Sequence, residues 1–121
     1  MRNFRKLLVW KRAHDLVLEI YRATGGFPSN ERFGLVAQMR RSAASIPSNI
    51  AEGAGRGGGP DYARFLRIAA GSVSELDYQL LLSRDLGYVA KERHHELSDE
   101  VVAIRRMLAS LIAKVAKSKS D

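Results

Sequence analysis

The sequence predicts an all-α protein, a four-helix bundle, on three observations. Period-2 alternation is scarce and β-branched residues are scattered, so strand signals are nearly absent. Four long segments repeat apolar residues at gaps of three and four. Short runs containing glycine or proline separate those segments, which suits helices that double back on one another.

The first segment spans about Leu8 to Thr24. Val9, Ala13, Leu16 and Ile20 form its stripe, widened by Trp10, Val17 and Tyr21, and Gly25-Gly26 ends it. The second spans about Glu31 to Ala54, after a turn at Phe27-Pro28-Ser29-Asn30. Its stripe is Val36, Met39, Ala43, Ile46, Ile50 and Gly53, with Pro47 inside it. Proline removes a backbone donor and collides with the carbonyl four residues back, so it either kinks the helix or opens a new one. The apolar register continues through Pro47, which favours a kink.

The third segment spans about 60–86. Pro60 and Asp61 suit its first turn, and Leu66, Ala69, Val73, Leu76, Leu80 and Ser83 form the stripe. The fourth spans about Lys91 to Lys117, striped by Leu97, Val101, Ile104, Leu108, Leu111 and Val115. Short connections predict antiparallel up-down-up-down packing, and a repeat near 3.5 residues predicts left-handed crossings of about 20°.

The run Gly53-Ala54-Gly55-Arg56-Gly57-Gly58 fits the spacing G-x-G-x-x-G. A dinucleotide-binding loop needs a strand before it, whereas a helix precedes this one, and the G-K-[ST] of a P-loop is missing. The run therefore reads as the turn of a helical hairpin. With Gly57 as its centre, Ala43 faces Gly71 and Ala44 faces Ala70, which gives Gly71 a packing role against the second helix. Exposed N–H groups in such a turn, with Arg56 beside the start of the third helix, would also suit a phosphate; the alternative is a plain flexible turn.

Length and composition fit one ordinary globular domain: 121 residues, 45% hydrophobic and 27% charged. The absence of cysteine excludes disulfides, zinc thiolates and thiol catalysis, and makes a cytoplasmic location the simple expectation. No apolar run approaches the ~20 residues of a membrane span, and the basic start MRNFRKLLVW lacks the features of a signal peptide. Net charge is +7 and unevenly distributed. Residues 1–67 carry 12 Lys and Arg against 5 Asp and Glu, whereas residues 68–121 carry 8 of each. Such asymmetry suggests an anionic partner such as RNA or DNA, and is equally compatible with a soluble basic protein that binds none.

No catalytic constellation emerges. His14, His94 and His95 lack metal-site spacing, apart from His95 and Asp99 one turn apart, and no histidine–carboxylate pattern marks a nucleophilic serine. Five arginines are the candidate nucleic-acid contacts: Arg40, Arg41, Arg56, Arg64 and Arg67. Helical geometry places Arg41 and Arg64 opposite the core stripes and Arg40 and Arg67 on the flanks, all exposed, while Arg56 lies in the glycine turn. By the hairpin register Arg40 lies near Glu75, and Arg64 near Ile50 and Glu52, as surface ion pairs worth under ~1 kcal/mol each. Arg5, Lys6, Lys11, Arg12, Arg41 and Arg56 have no obvious partner. Exposed cations of this kind meet phosphates rather than bases.

The stretches FRKLLVWKRAHDLVLEIYRAT, FGLVAQMRRSAASIPSNIAEGAGR, ARFLRIAAGSVSELDYQLLLSRDLGY and RRMLASLI resemble the bacterial four-helix-bundle family encoded within intervening sequences of 23S ribosomal RNA genes. The run GGGPDY departs from the more usual polar residues at that place. The resemblance implies a homo-oligomeric ring, a pentamer. A more distant resemblance, to the accessory variability proteins of diversity-generating retroelements, implies a reverse transcriptase and nucleic acid as partners. It supplies no catalytic residues, cofactor or metal. Two functions follow: a non-enzymatic, oligomeric nucleic-acid-binding bundle, or a protein-interaction scaffold in which the acidic stretch Glu75–Glu100 meets a basic half without nucleic acid.

Overall fold

A computed structural model describes residues 2–117. Its helices are α1 (Leu8–Thr24), α2 (Leu35–Ala54), α3 (Gly59–Asp85) and α4 (Lys91–Ala116), with single 3-10 turns at Phe4–Lys6 and Ser29–Glu31. There is no strand among the described residues. Each helix buries the stripe its spacing predicts. Leu16, Ile20, Met39, Ile46, Ile50, Leu66, Val73, Leu76, Leu80, Ile104 and Leu108 are almost wholly removed from water, and only Leu111 lies at the half-buried flank. Burying such a side chain contributes about 1.5–3 kcal/mol, so these stripes carry the fold.

α2 packs mainly on α3, α3 on α4, and α1 on α2, while α1 and α4 touch least. Contacts along the α2–α3 seam step in opposite directions along the two helices. Ser45 meets Ser72 at 2.8 Å, the Ser42 hydroxyl donates to Glu75 at 2.9 Å, and the Ser83 hydroxyl approaches the Met39 sulfur at 3.3 Å. The first two pairs centre the hairpin between Gly58 and Gly59 rather than on Gly57, and the third shifts further the same way. The sequence-derived register is therefore slipped, and its consequence for Gly71 is overturned. Gly71 is exposed, and a Cβ there would meet nothing within 4 Å. The glycine that brings the helices together is Gly53, where a Cβ would lie 2.9 Å from both Phe65 Cβ and Tyr62 Cδ1.

α2 starts at Leu35, four residues later than the expected Glu31. Glu31 acts instead as an acceptor for two elements: its carboxylate takes the Leu35 N–H at 3.4 Å and the Tyr88 hydroxyl at 3.0 Å. This joins the α1–α2 connection to the α3–α4 connection, and Phe27 packs on Tyr88 with ring centroids 5.2 Å apart. Phe33, freed from the helix, is 87% exposed. Pro47 is buried inside α2, which runs through it as one helix. Buried hydroxyls close back on their own helices, Thr24 on Ile20 O at 2.7 Å and Ser83 on Gln79 O at 2.7 Å.

Gly53→Ala is expected to destabilise the fold by about 1–3 kcal/mol, because Tyr62 and Phe65 must shift to admit the methyl group. A lower urea midpoint at unchanged slope measures it.

Candidate nucleic-acid interface

The five candidate arginines divide into three kinds. Arg40 is half-buried and built into the fold. Its Nε donates to Thr24 Oγ1 at 3.0 Å, its Nη2 donates to the Tyr21 carbonyl at 3.2 Å, and the guanidinium lies 4.4 Å from the Tyr21 ring centroid. The last turn of α1 has carbonyls with no helical partner, and a cation there also complements the helix dipole. Arg40 is thus a tether for the end of α1, not the expected neighbour of Glu75, whose partner is Ser42.

Arg56 and Arg64 face water but are already matched by acids. Arg56 pairs with Glu52 at 3.1 Å and approaches Asp61 at 3.6 Å, while Arg64 pairs with Asp61 at 3.2 Å. Both guanidiniums lie against the Phe65 ring, at 4.8 and 4.5 Å. Asp61 in the first turn of α3 therefore does more than favour the helix dipole: it offsets the charge of the glycine turn. Arg56 is not the unpartnered cation expected from the sequence, and Arg64 finds Asp61 rather than Glu52.

Arg41 and Arg67 are exposed, with neither a hydrogen bond nor an ion pair among the described residues. Arg41 borders a shallow polar groove of about 280 Å³ between α2 and α3, shared with Gln38, Ser42, Ser45, Ser72 and Glu75.

Sequence reasoning missed where the largest surplus of positive charge gathers. The Arg2 N–H donates to the Ala54 carbonyl at 3.1 Å, which folds the N-terminal segment back onto the end of α2. Arg2 and Lys114 then line one groove of about 360 Å³ with Leu7, Tyr62, Leu111 and Val115. Arg5, Lys6, Lys114 and Lys117 sit in the segments brought to this end, and no carboxylate of a described residue pairs with them. Arg5 and Lys6 had already stood out as cations without a partner. The grouping of all four depends on chain ends that meet only after folding. Lys119, part of the same basic tail, lies outside the described residues.

Much of the remaining charge is paired within the chain. Arg12 Nε donates to Glu100 at 3.0 Å, Arg105 meets Asp77 at 2.7 Å, Arg93 reaches Glu96 and Glu19 at 3.2 Å, and Lys11 meets Asp15 at 3.0 Å. The Glu100 hydrogen bond raises the Arg12 pKa further above its usual range. Hydrogen bonding from Arg22, aided by the charges of Arg93 and Arg22, holds the Glu19 carboxyl below its usual range against the opposing effect of desolvation. Lys11 and Arg12 thus have partners that the sequence did not reveal. His95 and Asp99 approach to 3.5 Å on an open surface. No group of three potential metal ligands occurs among the described residues.

The family model of the 23S rRNA-intervening sequence protein matches residues 5–110. The chain belongs to this family. Among solved structures, it is similar to a protein of unknown function from the S23 ribosomal protein family of Bacteroides thetaiotaomicron. The likeness has a TM-score of 0.79 and 24% identity, over 87% of this chain and 98% of that one. At that identity the likeness speaks for the shared helical fold. No curated protein matches the chain. In this member of the intervening-sequence family, cations consumed by the fold are thus separable from those left in water.

Arg40→Ala is expected to cost about 1–2 kcal/mol through two lost hydrogen bonds and a lost ring contact, whereas Arg41→Ala and Arg67→Ala should stay within about 0.5 kcal/mol of wild type. Chemical denaturation of the three variants measures the contrast. Because the folded-state pKa of Glu19 is depressed, its contribution is fully present above the ordinary carboxylate pKa of about 4.3 and is lost as pH falls through the lower folded value. Glu19→Gln should therefore show a shallower loss of urea midpoint below about pH 4 than wild type, in a denaturation series from pH 6 downward.

Proposed function

We propose that this protein is a non-enzymatic, homo-oligomeric bundle that binds the backbone of RNA or DNA. The observation that carries the reading is the surplus of unmatched cations where the N-terminal segment, the α2–α3 turn and the end of α4 meet. Arg5, Lys6, Lys114 and Lys117 lie there with no acidic partner among the described residues, while Glu52 and Asp61 are already held by Arg56 and Arg64. A polyanion would exchange its counterions for these side chains. Arg41 and Arg67, on the α2–α3 flank, are two further exposed cations without an ion pair among the described residues. Arg56 and Arg64 contribute less than their sequence position suggests, since a phosphate must compete with Asp61 for them.

The scaffold alternative has less support. Asp77, Asp85, Glu96 and Glu100 of the acidic stretch pair with Arg105, Arg84, Arg93 and Arg12 of the same chain, which leaves Glu75, Glu92 and Asp99 as its acids without an arginine or lysine partner among the described residues.

The helices in this reading form an antiparallel up-down-up-down bundle with left-handed crossings and a bend at Pro47. The descending contact pairs of α2 and α3 support the first of these features, and the buried interior proline supports the last. Assembly into a ring of five, and a reverse transcriptase as a protein partner, are what the family resemblance suggests. The reading requires a compartment that contains nucleic acid, the cytoplasm of a bacterium. No described helix is long and apolar enough to cross a membrane.

Fluorescence anisotropy with a structured RNA and a DNA duplex, across 50–300 mM salt, tests the binding. A linear fall of log affinity with log salt is expected, with little sequence preference, and each cation removed among Arg5, Lys6, Lys114 and Lys117 should reduce the slope by about one. An absence of binding at the lowest salt would sink the proposal.

A further inference from the structure

The solvent side of α3 is built for a close contact that this chain does not make with itself. Its inner stripe is complete, yet Arg64, Ile68, Gly71, Glu75 and Tyr78 form a second stripe at gaps of four, three, four and three. A helix that buries one face is expected to be polar on the other. Here Ile68 is 43% exposed and Tyr78 is 61% exposed. Between them Gly71 sits near the middle of a 27-residue helix, exposed, with open space where its Cβ would be. A glycine in a helix interior costs about 1 kcal/mol relative to alanine, and no neighbour in this chain occupies the space it leaves. Glycine at such a place lets another backbone approach closely.

The charges on this face point to the occupant. Arg67 has no acidic partner among the described residues, and Glu75 has no cationic one, only the Ser42 hydroxyl. Arg64 is held by Asp61, so the unmatched charges of this face are Arg67 before Gly71 and Glu75 after it. We propose that the α3 face centred on Gly71 packs antiparallel against the same face of a second copy of this chain. An antiparallel crossing at Gly71 sets Arg64 and Arg67 of each copy opposite the half of its mate that carries Glu75, twice over, with Ile68 and Tyr78 between. This is the self-complementarity a two-fold interface requires. The polar groove beside Arg41 lies along its edge and serves as a solvated rim. A two-fold contact cannot close a ring of five, so this interface is additional to any ring, and Arg67 placed in it is withdrawn from nucleic acid.

The absence of cysteine makes the test direct. Gly71→Cys places one thiol per chain on the two-fold axis, and mild oxidation should give a covalent dimer on a non-reducing gel, whereas Arg106→Cys on α4 should not. Native mass spectrometry of the full chain should give an even number of copies. Gly71→Leu should halve that number while helicity and melting temperature are kept or raised. Glu75→Arg should also dissociate the pair, and Arg64→Glu with Arg67→Glu added to it should restore the pair. A monomeric wild type, an assembly whose mass Gly71→Leu leaves unchanged, or no Gly71→Cys dimer would each overturn the proposal.

Discussion

At Gly53 the backbone of α2 comes so near to Tyr62 and Phe65 that even a methyl group would collide with both rings' side chains. That approach sets the register of the α2–α3 pair, and much else follows from it. It sets Ser45 on Ser72 and Ser42 on Glu75, which lines the flank of the hairpin with short polar side chains. It holds Phe65 where both Arg56 and Arg64 can lie against its ring. Through the same register Val73 and Ala69 point inward and Gly71 outward. A single missing side chain thus decides which residues of α3 belong to the core and which to its surface.

The second organising feature is the allocation of charge. An excess of cations could be spread evenly over a small helical protein, at a cost in self-repulsion. Here the middle of the molecule is balanced by ion pairs across α1–α4 and α3–α4, Arg12 with Glu100 and Arg105 with Asp77. The α1–α2 and α3–α4 connections are joined through Glu31 and Tyr88, a neutral phenol donating to a carboxylate, which also raises the phenol's pKa. The surplus is left at the opposite end, beside the glycine turn. Surface ion pairs contribute little stability individually, so the pairing matters more for where it leaves positive potential than for holding the helices together.

The core was legible in the sequence because burial and helical period are the same information: every stripe residue except Leu111 on α4 is buried as spaced. What could not be read there depends on contacts between distant segments. The start of α2 moved because Glu31 answers to Tyr88, which lies far along the chain. The hairpin register slipped because a run of glycines carries no side chain to mark its centre, and Gly71 was assigned to the wrong neighbour as a result. Arg40 looked like a surface partner of Glu75 until the carbonyl end of α1 came beside it. Arg56 and Arg64 looked available because one aspartate serving two arginines is a property of a folded turn, not of a spacing. Arg5, Lys6, Lys114 and Lys117 were each visible, but the basic end they form exists only once the two termini converge.

The pair between Arg12 and Glu100 joins residues 88 apart, and it lies on the seam where neighbouring helices touch least. Closing that seam constrains most of the polypeptide at once, whereas the α2–α3 hairpin needs only its own short turn. The entropy of loop closure rises slowly with length, but it must be met before the contact returns any energy. The α1–α4 boundary thus combines the longest closure with the sparsest packing of neighbouring helices, and local opening of the bundle is expected to start there.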